Sequence, residues 1–393
     1  MFKHSYLLKQ NKTKSWRIRL ICFISFLFSV TVALISFFQS SFLNQYLSEA
    51  QIGSYISLAY IIALIGLIFY GRIIRRIGFT ASILSIILLD LIGLILMAYY
   101  DFAWAAIVGV IIYEVTLTLI YLGFDILLKQ NTDHLLTGTV RGFYLTVVIL
   151  AWIISPALAG YLILQHSFGI LFKISIVIML VIGLLIALLS RFLKTDDHEK
   201  FLISLKDIYQ KADVFKIFIV SFFLQLFLCG MVIYMPLYLH KDMGLPLDQV
   251  GIIFTVMLFA YLLIDYPAGK LADKYWGEKE MLIVGILIAS LASFIIFYNT
   301  SASFYVWIGI MFLTRIGSSL IETMTETYFF KKINDQDVGM INFYRTASPM
   351  AYIIGPLFFS ALLYFYPLRI VFLALGLLMI ISLYWAVTLK DTK

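Results

Sequence analysis

The chain has 393 residues, of which 62% are hydrophobic and 13% are charged, and its mean hydropathy is +0.99. A soluble domain cannot bury so much apolar surface, so the composition excludes a water-soluble protein and indicates a polytopic membrane protein. The net charge of +7 matches the Lys and Arg excess that membrane proteins keep on one side of the bilayer, and nucleic acid is therefore not a predicted partner.

Twelve segments are long and apolar enough to cross a bilayer, six in each half of the chain. Continuous apolar runs of this length lack the alternation of barrel strands, so the predicted fold class is an all-α membrane protein with twelve transmembrane helices. The predicted domains are a six-helix bundle at 1–190, a cytoplasmic central loop at 191–215 and a second six-helix bundle at 216–393. The spans are predicted near 18–38, 52–71, 79–100, 102–128, 142–164, 168–190, 216–239, 250–268, 280–298, 304–330, 342–366 and 368–389.

The basic residues predict an orientation in the membrane. If both termini are cytoplasmic, 25 of the 29 Lys and Arg residues fall on the cytoplasmic side. Lys173, Lys241 and Arg369 fall on the other side, and Arg315 lies inside a span. We therefore expect a multi-pass protein of the inner (cytoplasmic) membrane, in which the first apolar run is an uncleaved span, because it is too long for a signal peptide.

One segment of the chain occurs twice. Residues 143–156, FYLTVVILAWIISP, and residues 343–356, FYRTASPMAYIIGP, share seven of fourteen residues without a gap. Gln51-Ile52-Gly53 similarly matches Gln249-Val250-Gly251. Self-similarity at this distance predicts two homologous halves of about 200 residues, each folding as a six-helix bundle.

Loop 2–3 and loop 8–9 carry related sequences rich in glycine and charge. The first runs from Gly71 to Gly78 and the second from Gly269 to Lys279. Both resemble the cytoplasmic signature of the major facilitator superfamily, G-x-x-x-D-[RK]-x-G-x-[RK]. Loop 8–9 has one additional residue before its second glycine, and loop 2–3 departs from the signature because Arg75 stands where the family has Asp.

The resemblance implies a latch between the two halves on the cytoplasmic side. Loop 8–9 supplies Asp273, Lys274 and Gly277, and an acid near a helix N-terminus is stabilised by the free N–H groups there. By resemblance, Asp273 meets the start of span 5 at residues 138–142, with Arg141 nearby. The alternative is a loop that only sets topology, since positive loops occur in polytopic proteins generally.

Span 3 contains an acidic residue, Asp90, in its middle. A charge inside the bilayer is costly, so such a residue is by default a functional candidate. The matching position of span 9 is Ile288, however, and span 3 is a scaffold helix in the family that the loops resemble. Asp90 is therefore either a proton site or a structural hydrogen-bonding residue.

Spans 4 and 10 each carry one polar stripe. Positions i, i+4, i+7 and i+11 lie within about 60° of one another on a helix, so residues at this spacing share a face. The stripes are Glu114, Thr118, Tyr121 and Asp125 in span 4, and Arg315, Ser319, Glu322 and Glu326 in span 10.

The two stripes predict the lining of a transport pathway. In transporters built from repeats, substrate and coupling-ion sites lie near the bilayer midplane between the halves. Glu114 and Arg315 are predicted near that midplane, with Asp125 and Glu326 about 16 Å further toward the cytoplasm. The alternatives are a purely structural Glu114–Arg315 ion pair, and acids at the other two positions that simply reach water.

Span 5 combines small residues with a proline. The spacing resembles the span 5 signature of drug and proton antiporters in the major facilitator superfamily, G-x8-G-x3-G-P-x2-G-G, with three glycines replaced. Small residues permit close helix packing and the proline bends the helix, as a moving interface would require. The residues concerned are Gly142, Ala151, Ser155, Pro156, Ala159 and Gly160.

Trp152 and Tyr352 occupy equivalent positions of the repeat, one turn before the proline. Packing between helices is one interpretation, and stacking on an apolar or cationic substrate is the other. Gln225 and Tyr234 of span 7 are further candidate substrate contacts. The five His residues are too scattered to form a metal site, so we expect neither a metal nor a cofactor.

The resemblance implies a major facilitator fold, with spans 1, 4, 7 and 10 around a central cavity. We expect a proton-coupled antiporter that exports small organic molecules by alternating access. Its expected partners are a small-molecule substrate, protons and the lipid bilayer, and the protein is expected to be a monomer. One of Glu114, Glu322 or Asp90 would release its proton to the cytoplasm as substrate binds near Arg315. A symporter or uniporter importing a sugar or similar polar solute is the alternative. An intramembrane enzyme or lipid-handling protein is not expected, because no convergent nucleophile, base or metal set is visible.

Overall fold

The computed structural model describes residues 2–131, 137–190, 212–333 and 338–390, and all regular structure within them is helical. Twelve helices are long and apolar enough to cross a membrane. The chain is therefore a multi-pass membrane protein, and the predicted fold class is confirmed. In chain order the helices are Phe2–Ser36 (α1), Glu49–Ile77 (α2), Phe79–Tyr99 (α3), Ala103–Asn131 (α4), Thr137–Gln165 (α5), Gly169–Leu189 (α6), Ala212–Leu237 (α7), Leu247–Leu271 (α8), Glu278–Tyr298 (α9), Phe304–Lys332 (α10), Ala347–Leu363 (α11) and Ile370–Val387 (α12).

Several helices differ from the predicted spans at their ends. α4 and α10 continue to Asn131 and Lys332, because hydropathy marks the bilayer whereas backbone hydrogen bonding continues beyond it. The predicted span 342–366 is interrupted by a turn at Thr346, between a short helix, Val338–Arg345, and α11. Pro349 accounts for the interruption, since it has no N–H to donate to the carbonyl four residues earlier.

The packing of helices repeats between the two halves of the chain. In the first half, α1 packs on α4, α5 and α6, and α3 packs on α4 and α6. In the second half, α7 packs on α10, α11 and α12, and α9 packs on α10 and α12. These contacts correspond after a shift of six helices, so the repeat in the sequence has a counterpart in the packing. In the second half α8 also packs on α10.

The helices divide into two compact units. The first, called the N-terminal unit, contains the chain up to Ser36 and the residues from Ile61 through α6, and the other is called the C-terminal unit. The second contains Phe37–Tyr60 and everything from α7 onward, so the short helix Gln39–Leu43 and the first turns of α2 pack with the C-terminal helices. The domain bounds read from the sequence remain a prediction.

Close backbone approach fixes the crossing of α9 and α10. A Cβ atom added at Gly317 would lie 2.6 Å from the backbone nitrogen of Ala289 and 2.9 Å from the carbonyl oxygen of Gly285. Only glycine permits such an approach, and small residues are the usual means by which membrane helices pack closely. Gly93 and Gly109 make the corresponding crossing of α3 and α4.

Gly317→Ala should lower the stability of the C-terminal unit. The added methyl group meets backbone atoms that cannot rotate away, and overpacking of this kind costs about 1–3 kcal/mol. The measurement is the thermal unfolding midpoint of the purified protein in detergent. Gly309→Ala is the matched control on the same helix, because a Cβ atom there meets no described atom within 4 Å; equal midpoints for the two variants would contradict the crossing.

Candidate functional site

A chain of three polar side chains joins α8 and α10. Arg315 is only 7% exposed, and its Nη1 donates a hydrogen bond of 2.7 Å to Tyr261 Oη. Its guanidinium carbon lies 4.7 Å from the centre of the Tyr261 ring. The Tyr261 hydroxyl in turn donates a 2.8 Å hydrogen bond to Oε2 of Glu322, so the tyrosine links a buried cation to a carboxylate.

The positions of these residues follow from helix geometry. Arg315 and Glu322 are seven residues apart, which places them on one face of α10 about 10 Å apart along its axis. That gap is too long for a direct contact. Tyr261 of α8 packs between the two groups and bridges them.

A second carboxylate extends the same band of polar contacts. Asp265 follows Tyr261 by one turn of α8, and its Oδ1 accepts hydrogen bonds from Ser319 and, at 3.1 Å, from Thr323. Together Tyr261, Asp265 and the polar face of α10 (Arg315, Ser319, Glu322 and Thr323) are called the α8–α10 cluster. It contains two carboxyl groups and one guanidinium group.

Glu322 also borders a cavity of about 210 Å³ in the C-terminal unit. The cavity lies between α7, α10, the short helix Val338–Arg345 and the start of α11, and both polar and apolar side chains line it. Its lining residues are Ser221, Leu224, Gln225, Glu322, Thr325, Glu326, Phe330, Tyr344, Arg345, Ala347 and Ser348. Three residues proposed from the sequence, Gln225, Glu322 and Glu326, therefore meet at one cavity.

The sequence analysis did not place Tyr261, Asp265 or Tyr344 in this site. Tyr261 and Asp265 have i, i+4 spacing on α8, as Arg315 and Ser319 have on α10, and this shared period is the signal that could have revealed them. Tyr344 belongs to the repeated FYxT segment, and its ring stacks on Phe329 with centroids 4.2 Å apart.

Asp90 lies at the interface between α3 and α4 in the N-terminal unit. It is 2% exposed, and the Thr116 hydroxyl donates a 2.7 Å hydrogen bond to its Oδ1. The same hydroxyl is 2.9 Å from the carbonyl oxygens of Ile112 and Tyr113. This geometry favours the structural interpretation of Asp90 over a proton site.

Asp90→Asn is expected to keep transport within about twofold of the original protein, because asparagine still offers Thr116 an acceptor oxygen. Thr116→Val should instead lower thermal stability, since it leaves a buried carboxyl group without its donor. Both variants are measured for flux in liposomes and for the unfolding midpoint. A loss of proton-dependent flux in Asp90→Asn, with an unchanged midpoint, would make Asp90 a proton site.

The polar stripe of α4 is only partly enclosed. Glu114 is buried and Asp125 is exposed. Glu114 belongs to the N-terminal unit and Arg315 to the C-terminal unit, so the ion pair between them remains a prediction.

Two aromatic residues proposed as substrate contacts are used in packing. Tyr352 stacks at a tilt on Tyr60, with ring centroids 4.7 Å apart. Tyr234 is fully buried and meets the edge of Phe359 at 5.7 Å, and its role as a substrate contact remains a prediction. Trp152 is half-buried, and its role remains a prediction.

The small residues proposed for span 5 lie in one continuous helix, α5, which includes Pro156. Ser155 is buried and donates a 2.7 Å hydrogen bond to the carbonyl of Ala151. Gly142 and Gly160 belong to the same helix. The role of this helix in a moving interface remains a prediction.

The two signature loops share one backbone feature. Gly78 and Gly277 precede α3 and α9 with φ of 80° and 92°, a conformation that disfavours residues with a Cβ atom. Gly71 lies within α2, Gly269 lies within α8, and Arg75 and Lys274 are exposed. The predicted latch cannot be followed, because the side chains of Arg141 and Asp273 lie outside the described part of the structure.

An ion pair that the sequence did not reveal anchors loop 8–9. Glu278, the first residue of α9, is buried and pairs with Lys331 at the end of α10. The pair ties the signature loop to the helix that carries Arg315 and Glu322. Within the described part of the chain, no group of three or more His, Cys, Asp or Glu residues could hold a metal ion.

Comparison with known proteins gives a family and a fold. The model of the Major Facilitator Superfamily matches residues 21–248 and 217–393. Sugar efflux transporter A of Escherichia coli (strain K12) is 26% identical over 156 residues, and the match spans 38% of this chain and 39% of that protein. The aligned region thus covers about two fifths of the relative's length.

Solved structures are similar over nearly the whole chain. A bacterial homologue of the human lysosomal transporter Spinster, inward-facing and unoccupied, has a TM-score of 0.71 at 12% identity, covering 95% of this chain and 96% of that one. The nucleoside transporter NupG has a TM-score of 0.75 at 12% identity, covering 95% and 99%. The POT family transporter PepTSo has a TM-score of 0.75 at 11% identity, covering 95% and 96%. At these identities the likeness establishes the fold alone.

Proposed function

Because this chain belongs to the major facilitator superfamily, we propose that it is a proton-coupled secondary transporter that exports small organic molecules by alternating access. The observation that carries the proposal is the double role of Glu322. This residue ends the Arg315–Tyr261 hydrogen-bond chain and also borders the cavity. A proton taken up from the cavity can therefore change the contacts of a buried cation.

The charges of the α8–α10 cluster support proton uptake. The cluster holds Glu322 and Asp265 but only Arg315 as a cation, so with both acids ionised it carries one excess negative charge. Uncompensated charge is costly at the depth of a membrane span. Binding one proton makes the cluster neutral. A neutral cluster can be rearranged inside the membrane at lower cost, so protonation is coupled to conformational change.

A protonated Glu322 has different hydrogen-bonding capacity from an ionised one. The ionised carboxylate accepts a hydrogen bond from the Tyr261 hydroxyl, whereas the protonated acid can itself donate a hydrogen bond. The ionised carboxylate can also accept a hydrogen bond from a hydroxyl or ammonium group of a solute in the cavity, and protonation of Glu322 removes this acceptor. The proton and the substrate would thus compete for the same group, as antiport requires.

The cavity favours a small polar solute. Its volume of about 210 Å³ is below the ~300–1,000 Å³ of typical pockets for drug-sized ligands. Amide, hydroxyl and carboxylate groups from Gln225, Ser221 and Glu326 border it together with the guanidinium group of Arg345, and this mixture suits a polyhydroxylated solute. The sugar efflux activity in the name of the partially matching relative makes sugars the first class to test.

The test is substrate-induced proton movement in liposomes that contain the purified protein and a pH indicator in the lumen. Sugars, amphipathic cations and amino-acid-like compounds are screened separately. Proton release from the lumen that depends on one class of compound supports antiport and identifies that class. Co-movement of protons and solute in the same direction would instead establish the symport alternative, and solute flux without proton movement would establish a uniporter.

A further inference from the structure

A second cavity lies at the edge of the C-terminal unit, away from Glu322 and Arg315. Its volume is about 490 Å³, and its walls come from the first turns of α7 and the end of α12. α7 begins at Ala212, and the membrane span of α12 ends at Val387, so the cavity lies where two spans leave the bilayer. Its lining residues are Ala212, Phe215, Lys216, Tyr384, Trp385 and Thr388.

The wall of this cavity combines exposed aromatic rings with a cation. Phe215 is 43% exposed and Tyr384 is 69% exposed. Trp385 is held in place by Phe223, whose ring centroid is 5.7 Å away. Amphipathic aromatic residues are enriched at the level of lipid headgroups, so the rings match the boundary between acyl chains and headgroups.

The charged side chains beside the rings have a net positive charge. Lys216 Nζ donates a 2.6 Å hydrogen bond to the carbonyl of Thr388 and lies 3.7 Å from Asp213 Oδ1. Lys332 Nζ lies 4.0 Å from Oδ2 of the same aspartate and 5.3 Å from the Tyr328 ring centre. Two ammonium groups thus share one carboxylate, and each ammonium has three donors.

We propose that this cavity binds the phosphate headgroup of an anionic phospholipid. The ammonium group of Lys216 contacts the phosphate, and Lys332, which pairs with the other oxygen of Asp213, adds positive charge beside the cavity. The acyl chains lie along Phe215 and Tyr384. Basic pockets at the ends of membrane helices bind acidic lipid headgroups by the same chemistry.

The location argues for a lipid rather than a transported solute. The cavity opens at the outer surface of the C-terminal helices, where Phe215 and Tyr384 are exposed. A lipid that binds α7 and α12 together would hold the ends of these two helices in a fixed relation. None of its lining residues lines the cavity that Glu322 borders.

The experiment uses fluorescence quenching in liposomes that contain the full-length protein and either brominated phosphatidylglycerol or brominated phosphatidylcholine. The signal of Trp385 is obtained as the difference between the original protein and Trp385→Phe. We expect half-quenching of Trp385 at about a fivefold lower mole fraction of the anionic lipid, the preference that one added lysine charge supplies. Equal quenching by the two lipids would overturn the proposal.

Substitutions assign the preference to this cavity. Lys216→Gln should make the half-quenching mole fractions of the anionic and the zwitterionic lipid equal. Lys332→Gln should reduce their difference only in part, because it leaves the Lys216–Thr388 hydrogen bond intact. If Lys216→Gln does not fold, the result with Lys332→Gln decides. Lys173→Gln is the matched control, because Lys173 also lies beside an aromatic ring, 5.2 Å from the centre of Tyr99, but in the N-terminal unit. An equal loss in this control would also overturn the proposal.

Discussion

Replacing Glu322 with glutamine is expected to reduce proton-coupled flux to the level of protein-free liposomes. Glutamine keeps the shape of the side chain and can still accept the Tyr261 hydrogen bond, but it cannot bind and release a proton. Exchange of labelled for unlabelled solute across the membrane, which needs no net proton movement, should persist. The measurement compares solute flux driven by a pH gradient with this exchange in the same liposomes.

The control for this substitution is Asp101→Asn. Asp101 is an exposed acid in the connection between α3 and α4, so removing its charge should change neither flux nor exchange. Glu114→Gln tests the other acid that the sequence proposed for proton transfer. If Glu322→Gln retains pH-dependent flux and Glu114→Gln does not, the coupling proton binds in the N-terminal unit and Glu322 is not the proton site.

Tyr261→Phe separates the hydrogen-bond chain from proton binding. A hydrogen bond to a charged group contributes about 1.5–3 kcal/mol, which corresponds to about a 10- to 100-fold change in an equilibrium or a rate. The variant keeps the ring that Arg315 lies over and loses only the hydroxyl. We expect slower coupled flux without its complete loss, and an effect equal to that of Glu322→Gln would place the essential proton on the tyrosine.

Gly53→Leu is the second substitution with a large expected effect, and it should abolish transport. A Cβ atom at Gly53 would lie 2.6 Å from the carbonyl oxygen of Pro356 and closer still to the hydroxyl groups of Tyr234 and Ser360. The first turns of α2 therefore pack on α7 and α11 with no room for a side chain. A leucine forces these helices apart and prevents this contact from forming.

The close approach at Gly53 belongs to a larger packed region at the start of α2. Phe37 stacks on Phe254 with ring centroids 4.7 Å apart, and Lys241 forms an ion pair with Glu49. We propose that this contact of α2 with α7 and α11 opens and closes in each transport cycle. A transporter in which it cannot close should bind solute without moving it.

The measurement for Gly53→Leu combines flux with the reaction of a cysteine at position 49 or 241 with a membrane-impermeant reagent. We expect no flux and faster labelling than in the protein with Gly53. Gly309→Leu is the bulk-matched control, since no described atom lies within 4 Å of a Cβ atom there. Normal flux in Gly53→Leu would show that the contact is not part of the transport cycle.

The sequence alone determined the architecture of this protein. Twelve apolar segments, the repeat of residues 143–156 at 343–356 and the glycines of the signature loops predicted an all-helical membrane protein with two related halves. These features are local along the chain, because a span is recognised from its own hydropathy. The i, i+4, i+7 stripe of α10 could likewise be read from helical period, and it identified Arg315 and Glu322.

Only the tertiary structure decided what those residues contact. Tyr261 precedes Arg315 by 54 residues and Glu322 by 61, and no pattern within one helix predicts which face of α8 turns toward α10. The same limit applies to Asp90 with Thr116 and to the burial of Tyr234. Hydropathy fixes the depth of a side chain in the membrane, whereas its partner depends on the rotation and crossing of two helices, which packing of the whole unit sets.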